Sequence, residues 1–70
     1  MKNLTNEQIS QNMKAMRVKA NLTQQEVADK LGLNRRSIMN WEKDAGCVNM
    51  KTFILLADVY NCQLTDFFVA

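Results

Sequence analysis

No proline and no histidine occur in this chain, and its 70 residues include only two glycines, Gly32 and Gly46. Barrels and sandwiches need many turn residues, so this scarcity favours a run of helices. The absence of histidine leaves a metal site short of ligands, and no metal is expected. Cys47 and Cys62 are the only cysteines. A disulfide between them is conceivable, but two are too few for the framework of a stapled secreted domain, and both are read as reduced cytosolic thiols. No cysteine stands beside a base, no two carboxylates share a helix face, and no glycine-rich loop is available to hold phosphate. Neither an enzyme nor a cofactor is expected. Apolar runs stay far below the roughly 20 residues of a membrane span, and Met1-Lys2-Asn3-Leu4-Thr5-Asn6-Glu7 lacks the apolar stretch of a signal peptide.

What is present is ordinary globular composition, 47% hydrophobic and 23% charged. Residues 1–70 are expected to form one domain with a thin core. The net charge of +2 hides an asymmetry: residues 1–43 carry eight Lys and Arg against four acids, whereas residues 44–70 carry Lys51 against Asp44, Asp58 and Asp66. A basic half joined to an acidic one suits a surface that meets a polyanion, although solvated surfaces also reach such asymmetry.

Five short helices are expected. Thr5-Asn6-Glu7-Gln8 fits a capping box, and Ile9, Met13, Met16 and Ala20 then recur on one helical stripe until about Ala20-Asn21. A second capping box, Thr23-Gln24-Gln25-Glu26, opens a short helix that buries Val27, Ala28 and Leu31 and stops at Gly32. Asn34 is a good N-cap for a third helix, from about Arg35 to Lys43. Two short helices joined by a turn of three or four residues containing Gly make a helix-turn-helix. A fourth helix is expected at about Met50 to Tyr60, directing Phe53, Leu56, Ala57 and Tyr60 inward, and a last helical turn at Leu64 to Phe68.

At 100° per residue, Arg35, Met39, Lys43, Arg36 and Asn40 share one side of the third helix, and Ile38 and Trp41 lie on the other. Trp41 is therefore assigned to the core. Arg35 and Arg36 occupy the first turn, where the helix dipole disfavours cations by about 0.3–1 kcal/mol each. A helix built for stability alone carries acid there, as the second helix does with Glu26. Two arginines make sense if an anion or a base edge docks against them. Arg pairs with guanine O6 and N7, Asn with adenine N6 and N7, and an apolar tip such as Met39 touches a thymine methyl.

The stretch from Leu22 to Glu42, with Thr23-Gln24-Gln25-Glu26-Val27-Ala28, then Leu31-Gly32-Leu33-Asn34-Arg35-Arg36-Ser37-Ile38, and Trp41-Glu42, closely resembles the lambdoid repressor/Cro family, also called the XRE-type helix-turn-helix family. The resemblance runs from Ile9 to Phe68. It implies an all-α, compact five-helix repressor-like domain with the helix-turn-helix at helices 2 and 3. The implied activity is sequence-specific double-stranded DNA binding, most often in a bacterial or phage-encoded cytoplasmic repressor. By position, the resemblance makes Arg35, Arg36 and Asn40 base-reading residues, with Met39 beside them. It makes Gln24 a phosphate ligand that also braces the third helix. Lys43 falls in a phosphate-contacting region, joined by Asn49 or Lys51. It pairs Arg17 with Glu42 in a structural salt bridge.

The family often has Gly after the third helix and Pro a few residues on, where this chain has Asp44 and Val48. Asp tolerates a left-handed turn, and Gly46 is expected to supply flexibility. Met13, Met16 and Met50 are assigned to packing. Met39, Ile54, Val59, Phe67 and Phe68 exceed what one small core absorbs. Phe67, Phe68 and Val69, with Ile54 or Val59, are the expected surface of a homodimer that meets a palindromic operator, with half-sites about 10 bp apart. The alternative is a protein-binding module on the same scaffold, an antitoxin or antirepressor. A chain that begins with Met and ends just after its last helix fits either a whole regulator or the DNA-binding portion of a longer one.

Overall fold

The computed structural model describes residues 3–70. Helices α1 (Asn6–Lys19), α2 (Gln24–Leu31), α3 (Arg35–Lys43) and α4 (Met50–Val59) are joined by short connections, with 3₁₀ turns at Ala45–Cys47 and Leu64–Phe68. The described residues thus contain four α-helices, and the segment expected as a fifth is a 3₁₀ turn. Its five residues are too few to sustain an α-helical ladder, and i to i+3 bonding suits so short a piece.

Local chemistry sets where each helix begins. Thr5, Thr23, Asn34 and Asn49 are extended at their N-caps, and each side-chain oxygen accepts a backbone N–H of the first turn. The α2 box is complete: Glu26 N–H donates to Thr23 Oγ1 at 3.1 Å, and Thr23 N–H donates to Glu26 Oε1 at 2.9 Å. The α1 box is half made. Gln8 N–H donates to Thr5 Oγ1 at 3.1 Å, but the Gln8 amide turns forward and donates to Asn12 Oδ1 at 3.0 Å.

The Thr23 N–H bond holds the Glu26 carboxyl below its ordinary value of 4.5. A lowered folded value means stabilisation that is present above the ordinary value and is lost as pH falls through the folded one. We expect the melting temperature to fall on acidification below pH 4.5 more steeply in the native chain than in Glu26→Gln. Parallel acid-side slopes in the two melts would contradict this.

One device stops three helices. Leu22 N–H bonds to Arg17 O and Asn21 N–H to Val18 O; Leu33 to Ala28 and Gly32 to Asp29, then Cys62 to Ala57 and Asn61 to Asp58, repeat the pattern. Each pair is a Schellman closure whose hinge residue is left-handed, at φ 64 for Asn21, 66 for Gly32 and 53 for Asn61. A Cβ at Gly32 meets nothing within 4 Å, so only its backbone angle opposes substitution. Gly32→Ala is expected to cost about 1–2 kcal/mol, the left-handed penalty of an L-residue, in a denaturant melt.

After α3 the chain departs from the expected path. Asp44 is extended, at φ −144 and ψ 100, and not left-handed. Its carboxylate instead accepts Gly46 N–H at 2.9 Å and caps the Ala45–Cys47 turn. Gly46 has no left-handed φ, and a Cβ there would meet only the side-chain end of the exposed Asn6, at 2.7 Å from its Nδ2, and the Asp44 carboxylate.

The core gathers Met13, Val27, Ala28, Ile38, Phe53, Leu56, Ala57, Tyr60 and Phe67 from all four helices and the last turn. Phe67, expected on a partner surface, is fully buried. Its ring lies 5.9 Å from Phe53 and 6.2 Å from Tyr60. Phe68 is half-buried, 5.0 Å from Phe53. The chain end bends inward because Asn12 Nδ2 donates to Phe67 O at 2.9 Å and to Val69 O at 2.7 Å. Cys47 is exposed, Cys62 is half-buried, and both thiols are free.

Candidate nucleic-acid interface

Helix α3 has two unlike sides. Ile38 is buried and Trp41 half-buried, so this side is fixed to the core. Arg35, Arg36, Met39, Asn40 and Lys43 are all exposed on the other. Their side chains make no hydrogen bond or ion pair with any described residue. Arg36 is engaged only through its backbone, whose N–H donates to Asn34 Oδ1 at 2.9 Å. The first turn of α3 holds no acid and the last holds Lys43. The positive end of the dipole and two guanidinium groups therefore converge at the start of one helix.

A polar network locks the far end of that helix. Arg17 Nε donates to Glu42 Oε2 at 2.7 Å and its Nη2 to Oε1 at 3.1 Å, a two-pronged bond joining α1 to α3. Its Nη1 donates to Leu22 O at 2.8 Å, tying down the connection that leads into α2. Gln24, in the first turn of α2, donates from Nε2 to Glu42 Oε1 at 3.2 Å. The pair is nearly dry, with side-chain exposures of 11% for Arg17 and 6% for Glu42. Hydrogen bonding to Glu42 holds the Arg17 guanidinium further into its charged form, against the opposing effect of burial. The adjacent phenol of Tyr60 is pushed far above its usual range, first by burial and then by the Glu42 carboxylate.

Gln24 thus braces α3, and its second amide hydrogen has no partner among the described residues. Asn49 caps α4: its Oδ1 accepts Thr52 N–H at 2.8 Å, which leaves its amide nitrogen as the available donor. Lys51 is exposed in the first turn of α4 and has no ion pair among the described residues. Arg35, Arg36, Met39, Asn40 and Lys43 share α3, whereas Asn49 and Lys51 stand at the start of the following helix.

Ser10 carries part of this architecture without having been anticipated. It is buried, donates from its hydroxyl to Trp41 O at 3.2 Å, and accepts Ala45 N–H at 2.8 Å. The same hydroxyl therefore steadies the end of α3 and the turn after it. Its signal in the sequence is register, since Ser10, Met13 and Arg17 recur at i, i+3 and i+7 on the inward side of α1. Polar residues within a buried stripe mark buried hydrogen bonds.

A short helix, a left-handed turn at Gly32 and a second helix with a free outer side define a helix-turn-helix domain. The sequence profile of the helix-turn-helix family matches residues 13–67, and the chain belongs to this family, in its XRE type. An uncharacterized HTH-type transcriptional regulator of Archaeoglobus fulgidus is 33% identical over 57 residues, covering 81% of this chain and 80% of that protein. No solved structure matches the chain significantly.

Proposed function

We propose that this chain is a single-domain, sequence-specific DNA-binding transcriptional regulator that seats α3 in the major groove. The observation that carries the reading is the exposed, unpaired Arg35 and Arg36 at the helix end where cations are disfavoured. The family and the regulator named above support the same class of activity. A helix of this diameter fits a groove about 12 Å wide. Arg35, Arg36 and Asn40 read base edges, and Met39 contacts a thymine methyl. Gln24, Lys43 and the Asn49 amide hold phosphates on either side. The protein acts in the cytoplasm as a homodimer on a palindromic operator, because one helix reads too few base pairs to select a site in a genome. Repression is the outcome favoured by the resemblance to lambdoid repressors. A protein-binding module on this scaffold has no need of two unpaired arginines and an amide on one outer side.

Selection of bound duplexes from a random pool gives the operator, and gel shifts across a salt series then test each residue. Arg36→Ala is expected to remove about 1–3 kcal/mol of discrimination at one base pair, and Asn40→Ala at a neighbouring one. Lys43→Ala weakens all sequences alike and lowers the salt slope by about one unit. Equal weakening of operator and random DNA by Arg36→Ala would remove base reading from that residue. Salt-independent retention of DNA by every variant would overturn the DNA-binding reading itself.

A further inference from the structure

Helix α4 carries its charges against its own dipole. Lys51 lies in its first turn and Asp58 in its last, with no acid at the start and no base at the end. Neither side chain forms an ion pair with any described residue. Both are exposed, and between them on the same side lie Ile54, 55% exposed, and Leu55, 44% exposed. At 100° per residue, positions 51, 54, 55 and 58 fall within an arc of about 100°. The opposite side of α4, with Phe53, Leu56 and Ala57, is buried in the core. The outer stripe is therefore basic, apolar, apolar and acidic in order along the helix.

That order is its own complement. The midpoint between Lys51 and Asp58 is also the midpoint between Ile54 and Leu55. A two-fold axis through this point sets Lys51 opposite Asp58 of the partner subunit, twice, and sets Ile54 opposite Leu55 of the partner subunit at the centre. We infer that the outer side of α4, through Lys51, Ile54, Leu55 and Asp58, is an antiparallel docking surface for α4 of a second copy of this chain. Such a pair is isologous, so each contact is made twice. It also brings each misplaced charge beside the opposite end of a neighbouring dipole, which removes the disadvantage each suffers alone. Apolar contact at the centre supplies the attraction, and the charges select the antiparallel orientation, since a parallel pair sets Lys51 beside Lys51. In this assignment Lys51 serves the dimer, and Gln24, Lys43 and Asn49 are left as the phosphate ligands. The inference rests on the dimeric reading above; of its expected surface it keeps Ile54, while Phe67 is withdrawn by burial.

Sedimentation equilibrium of the free protein, at loadings up to about 1 mM, tests the surface without DNA. The native chain is expected to associate. Lys51→Asp and Asp58→Lys are each expected to weaken association about tenfold, because each change replaces two attractions with two repulsions. The double variant restores both pairs with the charges exchanged, and its association is expected to return to within about threefold of native. Ile54→Glu abolishes association while its thermal melt stays near native, because the residue is exposed. A double variant no better than either single one overturns the inference, as does a native chain that remains monomeric at the highest loading. An unchanged association of Lys51→Asp, with a reduced salt slope on duplex DNA, overturns it in favour of a phosphate contact. DNA binding left unchanged by the α3 variants, with association intact, counts against the DNA reading alone.

Discussion

Arg17→Met is expected to lower the stability of the domain by about 3–5 kcal/mol, the cost of stranding one member of a buried pair. Glu42 then keeps only the Gln24 amide as a side-chain donor, in a site where its side chain is 6% exposed. Glu42→Gln strands the guanidinium, which retains Leu22 O, and belongs in the same range. For a domain of this size each kcal/mol moves the melting temperature by about 4–8 °C, so either change shifts it by roughly 12–40 °C. Arg17→Met combined with Glu42→Gln is expected to lose clearly less than the single losses added together, since no charge is left in the site. Thermal melts of the native, single and double variants decide it. Strictly additive losses would show that the 2.7 Å contact carries no coupling.

Phe67→Ala is the other large loss expected, about 3–5 kcal/mol, because a fully buried ring leaves a cavity that the two neighbouring rings cannot close. Removing the chain after Asp66 goes further. It deletes Phe67 and Phe68 together with the carbonyls of Phe67 and Val69 that hold Asn12. Native domains of this length have about 4–10 kcal/mol in total, so the truncated chain is expected to lack a cooperative melt. Phe68→Ala, at a half-buried site, costs less, and Val69→Asp, at an exposed one, costs about 0.5 kcal/mol or nothing. Near-ultraviolet circular dichroism against temperature separates these outcomes. A cooperative transition near the native temperature in the chain ending at Asp66 would show that Phe67 does not hold the core.

The helices were legible because their signals are local. A cap such as Thr23 with Glu26, or a stop such as Gly32, acts within one turn, and a sequence displays one turn directly. The outer side of α3 was legible for the same reason, since nine residues of regular helix sort themselves by angle alone. Contacts across the chain were not. Ser10 finds its partner 31 positions away, and Asn12 finds carbonyls 55 and 57 positions away. No spacing announces such pairs. Phe67 was misplaced because an apolar surplus, counted along a sequence, has no direction. The surplus is real, but it is spread over exposed residues such as Val18, Met39, Ile54, Leu55, Val69 and Met50, the last of which was expected to pack, and it does not include the ring that fills the core. Asn49, considered only for phosphate, also obeys the rule that identified Asn34, and its cap was readable three residues before Thr52.

The lack of any tether on Arg35, Arg36, Met39 and Asn40 bears on how such a protein changes over generations. Nothing else in the fold leans on these four side chains, so exchanging them leaves the melting temperature nearly where it was. A duplicated copy can thus change the character of this surface without first passing through an unfolded ancestor. Arg17 and Glu42 have no such freedom, since the loss of either must be answered by the other. Substitutions should therefore accumulate quickly on the outer side of α3 and in matched pairs behind it.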